Sequence, residues 1–170
     1  MFGNIFPPEV MDFVPSNALA NAQAGMTSDR VSIVDTDVVM ARVTFEAGGA
    51  NDATCQATLT MRAYAANSGG TGTVVTISDV WQLKGAATFA LSTGTSVRTS
   101  YSTSVNSFQT LAADGTKQLQ VLIPIRTRNI PKGLNFLECT ISGLGAARSA
   151  SIDFVRMRRS GPVPAVASVL

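Results

Sequence analysis

The chain has 170 residues, of which 45% are apolar and only 14% charged, with a formal net charge of +2 and a mean hydropathy of +0.22. That length suits one domain with a real hydrophobic core, while charge well below the roughly 25% of ordinary soluble chains implies a surface built from Ser, Thr, Asn, Gln and Gly. No run reaches the roughly 18 apolar residues of a membrane helix, so no membrane partner is expected and the surplus apolar area is expected to face other protein subunits.

The first segment, residues 1–28, shows neither a helical nor a strand period. It holds Phe2, Ile5, Phe6 and Phe13 among other apolar residues, broken by Pro7, Pro8 and Pro15. So apolar a stretch is not expected to float free in water; it folds back on its own domain or lies on a neighbouring subunit as an extended arm. The Ala-rich stretch 16–24 admits a short helix behind a Ser cap. The beginning lacks a basic n-region and meets Glu9 early, so it does not read as a secretory signal, and synthesis in the cytoplasm is expected.

From Arg30 onward the period becomes two. Val39, Ala41, Val43 and Phe45 alternate with polar residues, and so do Cys55, Ala57, Leu59, Met61 and Ala63. Strict alternation marks strands with one wet face. A Ser/Gly-rich stretch, 68–72, reads as a loop; 74–83 reads as one strand or two around Asp79. Residues 87–91, 119–123, 137–141 and 152–154 supply further strands. The hydroxyl-rich strip 92–107, STGTSVRTSYSTSVNS, reads as a long solvated hairpin, since Thr tolerates exposed strands. The last segment, 158–170, contains Pro162 and Pro164 and cannot be a central strand; Val163 and Leu170 give it something apolar to bury. The reading is all-β: a single jelly-roll-like β-sandwich of about seven to nine strands over residues 29–157, with an extended N-terminal arm (1–28) and C-terminal tail (158–170).

Chemistry is hard to build from these residues. The chain has no histidine, which removes the usual activator of Ser and Cys nucleophiles and the commonest zinc ligand. Cys55 and Cys139 fall on the apolar parity of their strands and read as small buried hydrophobes. Asp29, Asp35 and Asp37 lack the ligand spacing of a calcium loop. No phosphate-cradling loop precedes a helix. No enzyme, metal or cofactor is expected. Charge is uneven, with four basic and eight acidic residues in 1–97 against nine basic and three acidic in 98–170. The basic residues lack interleaved aromatics, so no nucleic-acid partner is expected.

The run from Lys132 to Pro162, KGLNFLECTISGLGAARSASIDFVRMRRSGP, places an apolar strand, a Gly/Ala-rich turn, a second apolar strand and a basic, proline-containing tail in succession. In that order it resembles the close of small virion proteins of tailed bacteriophages, of the head decoration or cement type. The resemblance implies a protein of the capsid surface, bound across capsomer junctions to the major capsid protein and associated with itself, a trimer being favoured. The residues expected to bind protein are Phe2, Ile5, Phe6 and Phe13 in the arm, and Arg156, Arg158, Arg159, Val163 and Leu170 at the other end. Two alternatives stay open: a capsid shell or head–tail component, and a carbohydrate- or receptor-binding module presenting Trp81, Tyr101 and the Ser/Thr strip.

Overall fold

The computed structural model describes residues 10–21, 25–46, 56–86, 95–110, 117–142 and 149–158. Twelve strands form in them: β1 (Val10–Asn21), β2 (Met26–Thr27), β3 (Val31–Ser32), β4 (Thr36–Phe45), β5 (Thr58–Tyr64), β6 (Thr73–Val75), β7 (Ile77–Ala86), β8 (Thr95–Val105), β9 (Ser107–Gln109), β10 (Lys117–Arg126), β11 (Phe136–Ser142) and β12 (Ser149–Arg158). A 3₁₀ turn, Thr127–Asn129, follows β10. No helix among the described residues is long and apolar enough to cross a membrane.

The strands pair antiparallel in two sheets, one in the order β1-β12-β4-β10-β7-β8 and the other β2-β11-β5-β6, with β3 also on β11 and β9 also on β5. Setting aside β3 and the inserted run β7–β9, the eight remaining strands read first–eighth–third–sixth in one sheet and second–seventh–fourth–fifth in the other. That is the order of a jelly roll, the product of two Greek keys. The insertion widens the first sheet by the hairpin β7–β8. It is entered and left through one-residue corners, Thr76 and Asn106, at which the chain changes sheets.

Alternation decides what lies between the sheets. Val39, Ala41, Val43 and Phe45 of β4 point inward beside Leu119, Val121, Ile123 and Ile125 of β10 and Ile152 and Phe154 of β12. Leu59, Met61 and Ala63 of β5, with Leu137, Cys139 and Ile141 of β11, face them from the other sheet, and all belong to one buried cluster. Truncating a large member such as Phe154 to Ala would cost about 3–5 kcal/mol.

Several elements depart from the sequence reading. Residues 16–21, which admitted a helix, lie in β1, an edge strand of the first sheet. The break expected at Asp79 falls instead at Thr76, although the β7–β8 register does shift between Ile77 and Asp79. β10 runs through Pro124, which a central strand should not contain. The β7 ladder stops at the pair Leu122–Trp81, so at Pro124 the strand has only β4 to serve and the missing N–H costs no bond on the other side. The strip 92–107 supplies the edge strand β8 of a hairpin. Residues 87–91 lie outside the described residues.

Candidate assembly surface

Because β1 and β12 run antiparallel with Val10 opposite Arg158, the chain enters and leaves the sandwich side by side. Arg158 is also opposite Thr36 of β4, so this corner adjoins the tight turn Val34–Asp35. Asp35 takes the left-handed conformation there (φ 57°), which Asp tolerates better than most residues. The turn leaves Val34 50% exposed at its tip. Arg126, Arg128 and Lys132, from the end of β10 and the loop after it, are exposed at the same pole, with Asp35 and Asp37. The Thr127 hydroxyl donates to the Thr36 carbonyl and fixes that loop against β4.

Of the residues expected to bind protein, Phe13 stands opposite Val155 and Arg158 opposite Val10. Arg156 sits on the inward parity of β12, opposite Val39, and donates from Nη1 to the Ser32 carbonyl at 3.0 Å. Since β3 belongs to the other sheet, this bond ties the two layers together at the pole. Phe2, Ile5, Phe6, Arg159, Val163 and Leu170 lie outside the described residues.

A second cluster orders the loop beside this pole. Arg30 stacks on Tyr64, with its guanidinium carbon 3.5 Å from the ring centroid. Its Nε is 3.4 Å from Glu138 Oε2, and its Nη1 donates to the carbonyls of Ala66 (3.0 Å) and Gly69 (2.6 Å). Tyr64 Oη donates to Glu138 Oε1 at 2.6 Å, and Arg62 Nη1 donates to the Gly72 carbonyl at 3.3 Å. Burial, then the bond to Glu138, raises the Tyr64 phenol above its usual value. Two arginines thus hold three carbonyls of a loop whose own side chains, 65–71, are all exposed. A Cβ at Gly72 would press into the Tyr64 ring, so a larger residue there forces the loop or the ring to shift.

The outer face of the first sheet, β1-β12-β4-β10-β7-β8, departs from the polar surface expected of a sandwich. Reading across the ladders, Pro124, Met40 and Val155 form one outward row, and Arg126, Val38 and Met157 the next. A third row runs Trp81, Leu122, Arg42, Asp153. Arg42 donates to Asp153 Oδ2 from Nη2 at 2.8 Å and from Nε at 3.3 Å. At the hairpin Arg98 bonds Asp79 Oδ1 at 2.9 Å and lies over Trp81, 5.1 Å from its ring centroid. Sequence reading missed this face. The signal was in β4 and β12, where Val38, Met40, Val155 and Met157 occupy the nominally wet parity.

Cys139 is buried with its thiol pushed up to about 12, chiefly by burial and then by Glu138. It packs as a small hydrophobe, as its parity implied; Cys55 lies outside the described residues. Among the described residues no group of three His, Cys, Asp or Glu side chains assembles. The chain matches no protein-family model, no curated protein and no solved structure.

Proposed function

We propose that this protein is a structural component of a virion that decorates and stabilises a tailed-phage capsid. It binds the major capsid protein across capsomer junctions through its two chain ends. The observation that carries the reading is the pairing of Val10 with Arg158, which roots both apolar, proline-broken ends at one pole. Residues 1–9, with Phe2, Ile5 and Phe6, precede Val10 in the chain, and 159–170, with Arg159, Val163 and Leu170, follow Arg158. Two ends leaving together act as one bivalent clamp, in which the second contact forms at high effective concentration. Exposed Arg126, Arg128 and Lys132 around them favour an acidic partner surface.

A jelly roll serves capsid shells and lectins as well. A shell protein would close into shells or tubes when purified, which light scattering detects. The glycan reading is disfavoured because Arg98 already occupies a face of Trp81 that a sugar would need. The test is binding to heads stripped of this protein: removing residues 1–9 should abolish it, and undiminished binding overturns the proposal.

A further inference from the structure

We infer that β1 is an exchangeable strand, and that the edge of β12 it covers within one chain is covered in solution by β1 of a second copy. This goes beyond the reading above, because it concerns how copies of the chain join one another and not how their ends meet a capsid.

Three observations point to it. First, β1 depends on one neighbour. It lies at the edge of its sheet and, among the described residues, its only ladder is with β12. That ladder forms equally well whether the two strands belong to one chain or to two, so exchange loses no native pairing and the connection to β2 decides between the two forms. Second, β1 is too long for the ladder it makes. Its 12 residues stand against the 10 of β12. The regular run from Val10 ends with Pro15 opposite Asp153; Asn17 then stands opposite Ile152 and Ala20 opposite Ala150, so one extra residue bulges out of β1 at each step. Third, both bulges fall in the half of β1 nearest its connection, and that connection is short and closely held. Only residues 22–25 join Asn21 to Met26, which already lies in the other sheet, paired with Ile141 of β11. Gly25, at the end of the connection, has φ 92°, and a Cβ there would stand 3.2 Å from the Ile141 carbonyl oxygen.

These facts fit together. With Val10–Pro15 in register, a straight ladder would carry Asn21 two positions past Ser149, about 7 Å at about 3.3 Å per residue. The four-residue connection holds the strand back, and the surplus is folded into the bulges. A short hinge that distorts the strand it carries is the arrangement that invites exchange. When β1 crosses to a second copy the connection opens out, the bulges straighten, and the released length spans the gap between the two sandwiches.

The test locates the partner of β1 directly. Met11 and Met157 stand opposite each other in the ladder. Met11→Cys with Met157→Cys, in a Cys55→Ser background, is oxidised over a wide range of protein concentration; Cys139 is buried and stays out of the reaction. The expected result is a disulfide from chain to chain on a non-reducing gel, in an oligomer that sedimentation equilibrium also finds for the unaltered protein. Inserting three glycines between Asn21 and Ala22 should weaken that association by at least about tenfold and return the disulfide to a single chain. Circular dichroism confirms that the variants keep their strands. A disulfide confined to one chain at every concentration, or an association indifferent to the insertion, would overturn the inference. Removal of residues 1–9 leaves β1 in place, so capsid binding is scored separately and either reading can fail alone.

Discussion

Arg42 and Asp153 stand directly opposite each other in the ladder between β4 and β12, joined at 2.8 Å, on the outer face of their sheet. The two are unequally wet: the Asp153 side chain is 12% exposed and that of Arg42 35%. Removing the arginine therefore strands a nearly buried carboxylate, whereas removing the acid leaves a guanidinium that still reaches water. Arg42→Met should destabilise by about 1–3 kcal/mol, more than Asp153→Asn. The double replacement Arg42→Met/Asp153→Leu should recover most of the loss. Urea denaturation of the four proteins checks the order.

The loop 65–72 gives a second expectation. Arg30 holds it at Ala66 and Gly69 while stacking on Tyr64. Arg30→Ala should speed amide hydrogen exchange across 65–72 by about tenfold or more, with little change in the β4–β10 ladder, because local opening is decided by local bonds. Gly72→Ala should have a similar effect by driving the loop off the Tyr64 ring.

Alkaline pH should weaken the fold through two groups. Tyr64 is raised above 10.0, mainly by burial, and Cys139 from 9.0 to about 12 for the same reason. In both cases folding favours the protonated form. Stability is therefore complete below the unfolded values and is lost as pH climbs through the folded ones. The urea midpoint should hold steady up to pH 9.0 and fall beyond it, and Tyr64→Phe should remove part of that fall. A thiol reagent at neutral pH should leave Cys139 unmodified until the protein is unfolded.

Where the N-terminal segment is cut matters. Removing residues 1–9 spares β1, so the melting temperature should be nearly unchanged while capsid binding is lost. Removing 1–14 also takes five of the six regularly paired positions from Val10 to Pro15 and bares the edge of β12. The melting temperature should then drop, by about 2–4 °C for each kcal/mol of ladder lost.

The strands with one dry face were legible because their alternation is strict: β4, β10 and β11 each contain the stretch the sequence indicated, and β5 takes up the later part of its own, from Thr58 on. β1 was not legible, since VMDFVPSNALAN has apolar residues on both parities and its register shifts twice after Pro15. β2, β3 and β9 are two or three residues long and carry no period at all. Pairings across a hundred residues, such as Arg42–Asp153 and Arg30–Glu138, depend on which strands become neighbours, and a single sequence does not state that. Arg156 shows the converse: its charge drew attention as a docking residue, and its parity on β12 gives it a bond between the layers.

β12 lies between β1 and β4, and this position governs the order in which the molecule can be completed. During synthesis β1 emerges well ahead of β12, the one strand it pairs with among the described residues. At about 5–20 residues per second, the ribosome takes several seconds or more to deliver that strand. Through this interval a nascent β1 has no native ladder to join, and its apolar residues are open to chaperones or to neighbouring nascent chains. The first of the described strands to be made is among the last to find its place.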